Sequence, residues 1–307
     1  MNKLAIETHH LRKEYGLKVA VDDLTLQVPC GEVFGFLGPN GAGKSTTLKM
    51  LVGLVRPTHG EVKILDESPR NYRNRAKIGF LPEHFRFHEW LTAHEFLHVH
   101  GKLYGLSKQQ LHKRIPELLE QVNLADATHT SLGNFSKGML QRVGLAQAML
   151  NKPEIIFLDE PTSGLDPLGT RLVRDIISNL KAEGTTVFLN SHLLSEVSVT
   201  CDRVAFIKKG VVIHTNTMEK LLSQTMALSL RVDAISQNLH EALKSLDSHV
   251  QLNGTKILLT VKDDDQVAHV AQMVHEHGAK LYELTPRHQS LEEIFVSIIS
   301  TDGEDRT

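Results

Sequence analysis

No uninterrupted run of Ala, Val, Ile, Leu, Met, Phe, Trp, Tyr or Cys in this chain of 307 residues is longer than four, Ile155 to Leu158 being one such run. A membrane-spanning helix needs about twenty mostly apolar residues, so the chain is expected not to cross a bilayer by itself. The opening stretch from Met1 to His10 has no apolar segment of the kind a secretory signal carries, which adds the expectation that it is not exported. Charge of one sign is also missing. Lys and Arg number 34 against 36 Asp and Glu, a formal net charge of -2, so there is no basic footprint for nucleic acid or an anionic membrane surface. Two cysteines, Cys30 and Cys201, are too few for a disulfide scaffold and fit a reducing cytosol. The one excess is histidine, at 18. Wide protonation of those imidazoles below about pH 6.5 would turn the net charge strongly positive.

The remaining composition, 41% hydrophobic, is that of a globular protein, and the length suggests about two domains. Short strands are expected at Leu4 to Ile6, Val19 to Val21, Leu24 to Val28 and Glu32 to Leu37, with a turn around Tyr15 and Gly16. A helix from Lys44 to about Val55 follows, closed by Pro57 and Gly60. After a strand at Lys77 to Leu81, Thr92 to Leu150 has helical periodicity. Thr92 with Glu95, and Ser107 with Gln110, read as capping boxes. Strands return at Glu154 to Asp159, Thr185 to Leu189, Arg203 to Ile207 and Val211 to Ile213, with a helix around Arg171 to Glu183. Strands alternating with helices predict an α/β fold with a parallel sheet. Beyond about Glu219 the order of elements is βαββαβ, which suggests a small ferredoxin-like α+β module. The expected domains are therefore 1–218, with a helical subdomain at about 85–150, and 219–307. The polar tail from Thr301 to Thr307 reads as frayed.

Gly38-Pro-Asn-Gly-Ala-Gly-Lys-Ser45 matches the phosphate-loop pattern G-x-x-x-x-G-K-[ST] between a predicted strand and a predicted helix. Glycines let successive backbone N–H groups turn toward one phosphate, and the helix N-terminus adds a positive dipole end. Lys44 is the candidate to bridge the β- and γ-phosphates, and Ser45 to give its hydroxyl to Mg²⁺. Further on, the apolar strand Ile155 to Leu158 ends in two acids. Asp159 is the candidate to hold the hydrated Mg²⁺, and Glu160 to act as general base on the attacking water.

Four further stretches stand in order around these two, and with them residues 4–217 resemble the nucleotide-binding subunit of ABC (ATP-binding cassette) transporters. Phe135-Ser-Lys-Gly-Met139, followed by Leu140-Gln-Arg142, resembles the family's signature motif. Ser163-Gly-Leu-Asp166 resembles its D-loop, and His192 in Leu189-Asn-Ser-His192 its switch histidine. Tyr15 stands where the family stacks an aromatic residue on adenine. The resemblance implies a P-loop NTPase of ABC type: a parallel-sheet core with an antiparallel β subdomain and a helical subdomain. It implies ATP and Mg²⁺ as cofactors, with Glu160 and His192 catalytic. ATP would be held by Tyr15, Gly38, Pro39, Asn40, Gly41, Ala42, Gly43, Lys44, Ser45, Thr46, Ser136, Lys137, Gly138 and Asp166. The metal would be held by Ser45, Asp159 and Glu83. It also implies a head-to-tail homodimer or heterodimer that buries two ATP molecules. That dimer would work with integral membrane subunits from a peripheral position on the inner face of the cytoplasmic membrane.

Two departures from the family pattern are Lys137 and Met139, where Gly and Gln are usual, and Glu83, where Gln is usual. Both resemble the branch of drug- and lipid-exporting systems with separate membrane subunits, so export is the expected direction. Ser290-Leu-Glu-Glu-Ile-Phe295 resembles the closing segment of such subunits. Residues 83–104 correspond to the family's docking surface for membrane subunits, with Phe85, Phe87 and Trp90 as candidate contacts or as local packing. A second reading is a soluble ABC ATPase acting on nucleic acid or ribosomes. Relatives of that kind usually carry two cassettes or a long coiled-coil insert, and this chain has neither sustained heptads nor a basic balance. A third is a zinc peptidase, since His94-Glu-Phe-Leu-His98 is a literal H-E-x-x-H. Against it, Glu95 is already accounted for by the capping box and no third ligand is evident. Adventitious metal binding by His84, His88, His94 and His98 stands beside a solvated histidine surface as a reading of that stretch.

Overall fold

A computed structural model of the chain describes residues 3–84, 87–223, 226–247, 250–288 and 290–301. It divides into two compact units, Met1–Asn216 and Thr217–Thr307.

The first unit opens with a long antiparallel hairpin, β1 (Leu4–Tyr15) and β2 (Lys18–Pro29), turning at Gly16. Strand β3 (Val33–Leu37) leads through the glycine loop into α1 (Lys44–Leu51). Then come β4 (His59–Ile64), the single turn α2 (Tyr72–Arg75) and β5 (Ile78–Leu81). Three helices follow: α3 (Ala93–Leu103), α4 (Lys108–Gln121) and α5 (Lys137–Ala148). Both expected capping boxes close as drawn. The Thr92 and Ser107 hydroxyls accept from the N–H groups of Glu95 and Gln110, whose side chains accept in return from the cap N–H groups. The unit ends with β6 (Ile155–Asp159), α6 (Pro167–Ala182), β7 (Thr186–Asn190), α7 (Leu194–Thr200), β8 (Arg203–Lys208) and β9 (Val211–Thr217).

These strands make two sheets. The antiparallel one has the order β2-β1-β4. The larger has the order β5-β6-β7-β3-β8-β9 and is parallel from β5 through β8. Every residue of β3, β6 and β7 is buried, as expected for strands covered on both faces. Phe188 of β7 lies with its ring centroid 5.7 Å from Phe34, 5.4 Å from Phe36 and 5.5 Å from Phe157. One aromatic side chain thus packs against the rings of the two neighbouring strands, and the carboxyl ends of all three finish side by side. Phe36 and Asp159 both register with Asn190. Ligands of open parallel sheets bind outside such strand ends.

Several element boundaries differ from the sequence expectation: β1 and β2 run on for 12 residues each where short strands are expected, β9 extends to Thr217, and three further differences have local causes. Strand β4 runs through Gly60, which had been read as part of a break. Gly60 sits at positive φ because a Cβ there would be driven into the His9 and His10 carbonyls, where β1 bulges. Helix α1 stops at Leu51, because Gly53 adopts positive φ and the Leu54 and Val55 N–H groups both return to the Lys49 carbonyl. Helix α6 begins four residues early, at Pro167, with Asp166 as its cap.

The second unit contains α8 (Met218–Ser223), β10 (Met226–Val232), α9 (Gln237–Leu246), β11 (Gln251–Asn253), β12 (Lys256–Val261), α10 (Asp264–Glu276), β13 (Leu281–His288) and α11 (Leu291–Thr301). The βαββαβ core folds into an antiparallel sheet of order β11-β12-β10-β13. Leu228, Leu230 and Val232 of β10 pack with Ile257, Leu259 and Val261 of β12 and with Leu239, Leu243, Val270 and Val274 of the two helices.

Candidate functional site

The loop after β3 is shaped by what has no room for a side chain. Gly43 caps α1 at φ 105°, and a Cβ there would be driven into the Ala20 carbonyl. A Cβ on Gly38 would strike the Ile207 carbonyl. No side chain caps α1, so its first N–H groups face outward without a side-chain acceptor. That arrangement is an anion cradle. Lys44 is buried and folds back over the loop, donating from Nζ to the Gly38 carbonyl at 2.7 Å and the Pro39 carbonyl at 3.2 Å. Burial pulls its pKa down, and the carboxylates of Glu160, Asp159 and Glu83 oppose that.

The acid pair lies at the end of the neighbouring strand. Asp159 accepts from Asn190 Nδ2 at 2.5 Å. Glu160 Oε2 lies 2.6 Å from His192 Nδ1. Burial raises the pKa of both carboxyls; Asn190 opposes this at Asp159, and His192 at Glu160. Glu160 also has left-handed backbone, φ 53°. For a non-glycine residue this costs about 1–3 kcal/mol, met by surrounding structure. Three hydrogen bonds hold it: its N–H donates to the Asn190 carbonyl at 2.8 Å, and its carbonyl accepts from the Ser163 N–H and from Gln141 Nε2, each at 3.1 Å. Neither Asn190 nor Gln141 was singled out from the sequence. Only the parallel register that sets Asn190 beside Asp159 could have drawn attention to it.

The loop and Glu160 open onto one cavity of about 460 Å³, whose lining does not include the buried Asp159. Asn40, Gly41, Gly43, Lys44, Ser45 and Thr46 line it from the loop, Lys18 and Ala20 from β2, and Glu83, Glu160, Asn190 and His192 from the strand ends. The Asn190 Oδ1 atom is buried without a partner. The cradle fits a polyphosphate. The Ser45 hydroxyl and the Asp159 and Glu83 carboxylates are hard oxygen donors of the kind Mg²⁺ takes.

Other expected residues lie elsewhere. Tyr15, 49% exposed at the end of β1, is absent from the cavity lining and carries the Lys13 ammonium 5.0 Å above its ring. Ser136 caps α5, accepting from the Met139 N–H at 3.2 Å. The Lys137 side chain fills the space that a Cβ on Gly164 would need, and Gly138 faces Leu165. Asp166 caps α6, accepting from the Gly169 N–H at 2.8 Å. None of Ser136, Lys137, Gly138 or Asp166 lines the cavity. Phe87 packs on Phe96, and Trp90 is 75% exposed with its ring 4.8 Å from His88. Phe85 lies outside the described residues. At His94-Glu-Phe-Leu-His98, Glu95 is occupied by the Thr92 N–H and hydroxyl, each at 2.9 Å. The His94 ring is 6.1 Å from those of His98 and His129, and among the described residues no three His, Cys, Asp or Glu side chains are grouped to hold a metal.

Comparison with known proteins adds four findings to this geometry. A family described as ABC transporter matches residues 21–163. An ABC transporter ATP-binding protein of Nostoc sp. is 47% identical over 66% of this chain and 62% of its own, so the match spans less than two thirds of that relative. The bacitracin transport ATP-binding protein of Bacillus licheniformis is 35% identical over 96% of this chain and 97% of its own. Among solved structures, a dimeric ATP-binding cassette in a post-hydrolysis state, bound to ADP and phosphate, has a TM-score of 0.65 at 27% identity, covering 69% of this chain and 98% of that one. Among the described residues no helix is long and apolar enough to cross a membrane.

Proposed function

We propose how the site works in a chain that belongs to the ABC transporter family, as an ATP-binding and ATP-hydrolysing subunit of the exporter type. The loop from Gly38 to Thr46 cradles the phosphates, with Lys44 supplying the cation. Ser45, Asp159 and Glu83 would hold Mg²⁺, which would supply charge neutralisation at the phosphates. Glu160 takes the proton of the attacking water. His192 Nδ1, 2.6 Å from its carboxylate, orients that base. The observation that carries this reading is the Glu160 carboxyl itself. It is buried, its pKa is raised, and it opens onto the same cavity as the phosphate loop.

Ser136, Lys137, Gly138 and Asp166 cap or begin helices away from this cavity. In our reading they serve the ATP held by a second subunit, in a head-to-tail dimer. Tyr15 would meet adenine from the edge of the site. The dimer passes its closing and opening to integral membrane subunits docked at residues 83–104, where Trp90 is exposed. The chain would then sit on the inner face of the cytoplasmic membrane and drive export, with the unit from 219 onward regulating or bracing the dimer. Two measurements test this. Purified Glu160→Gln should lose ATP hydrolysis while still binding ATP; turnover at the wild-type rate overturns the assignment. Affinity capture from detergent-solubilised membranes should recover a polytopic membrane protein; recovery of ribosomes or DNA instead refutes the transport role.

A further inference from the structure

The peptide groups on both sides of Glu160 are tied down by different parts of the fold. Its N–H is bonded to the Asn190 carbonyl, a bond fixed by strand pairing between β6 and β7. Its carbonyl accepts from the Ser163 N–H within the local turn and from Gln141 Nε2, the one of the two that comes from another element, helix α5. Gln141 is buried, and its amide reaches this carbonyl across 19 residues of sequence. Left-handed backbone is not the resting state of an L-residue such as glutamate. Without the Gln141 bond the carbonyl keeps only the Ser163 N–H of its own turn, so no bond from a distant element fixes where that turn sets the carboxylate relative to the cavity and His192.

We propose that Gln141 is a positioning residue for hydrolysis. By holding the Glu160 carbonyl, it makes the placement of α5 a condition for a correctly aimed base. The inference rests on Glu160 being that base. Its consequence for the assembly follows from where α5 starts. Ser136 caps the helix, and Gln141 lies little more than one turn further on. One rigid element thus bears the residues assigned to a second subunit's nucleotide and the amide that aims this subunit's own carboxylate. Docking of a second nucleotide on Ser136 and Gly138 is thereby coupled to the base of the first site.

The test uses the full-length chain with Gln141→Met, which keeps length and burial but removes the donor, and Gln141→Glu, which keeps shape. Turnover is normalised to nucleotide-binding stoichiometry, so loss of folded protein does not count as loss of rate. Either variant should lower kcat about 10- to 100-fold, the scale of a misplaced catalytic group, with KM for ATP unchanged. In a Glu160→Gln background Gln141→Met should cause no further loss, because it acts only through that carboxylate. An unchanged kcat overturns the proposal. So does a raised KM with unchanged kcat, or an equal additional loss in the Glu160→Gln background. If Glu160→Gln alone turns over at the wild-type rate, the base assignment fails first and this inference falls with it.

Discussion

Replacing Glu160 by Gln removes the charge and turns one of the two acceptor oxygens into an NH2 donor, leaving the other to face His192. The amide has nearly the carboxylate's shape, the same left-handed strain is kept, and the hydrogen bonds from Gln141 and to Asn190 involve backbone atoms of residue 160. Loss of a general base costs about 10²- to 10⁴-fold in turnover. At 1.36 kcal/mol per decade this is about 2.7–5.4 kcal/mol of barrier. Stability should move the other way. Burial raises the Glu160 pKa above the 4.5 of an ordinary glutamate. A carboxyl whose pKa is raised on folding destabilises the native state above that pKa and stops doing so as pH falls through it. At neutral pH the uncharged amide therefore raises the unfolding midpoint, and this gain shrinks on acidification. In a unit of this length each kcal/mol moves the midpoint by about 2–4 °C, which scanning calorimetry resolves. Steady-state phosphate release and calorimetry on the nucleotide-free protein give both readings. A variant that hydrolyses ATP normally, or that melts lower than wild type at neutral pH, refutes the reasoning.

Lys44→Ala removes the only loop cation that bonds the Gly38 and Pro39 carbonyls. Charged hydrogen bonds of about 1.5–3 kcal/mol put the loss of ATP affinity at roughly 10- to 150-fold, readable by titration calorimetry, and unchanged affinity refutes the phosphate-loop role. Turnover should rise with pH through a limb above 4.5, because Glu160 works only when deprotonated; a rate already at its plateau at that pH contradicts a buried base. Ser136→Ala deletes the α5 cap, costing about 0.5–2 kcal/mol in chemical denaturation. It should also cut hydrolysis while leaving ATP binding to a single subunit intact.

What the sequence disclosed follows from how local each signal is. Glycine spacing, apolar strands ending in acids and capping boxes are written within ten residues, and α3 and α4 fold where such patterns place them. Gly60 misled because its meaning lies in β1. A bulge there pushes two carbonyls against it, so a residue that locally reads as a stop is the one that lets β4 pair. Asn190 and Gln141 carry no pattern of their own. One acts through sheet register and the other through an amide spanning 19 residues, and neither relation is visible before the chain is folded. The H-E-x-x-H stretch is the reverse case: the letters match, but its glutamate is already the partner of Thr92.

Phe188 gives the core a second duty. Its ring packs on Phe34, Phe36 and Phe157 and so ties together the side-chain layer of strands that end in the phosphate loop, the acid pair and the His192 segment. Catalytic geometry tolerates errors of about half an ångström. Strand spacing is fixed by the backbone ladder, but a smaller residue at 188, say Leu, leaves a void beside those three rings into which the packing on this face shifts while the sheet stays intact. Drift at this hidden position would then surface as altered motor timing before it surfaced as a folding defect. A screen for slow variants should accordingly look two residues beneath the chemistry as well as at it.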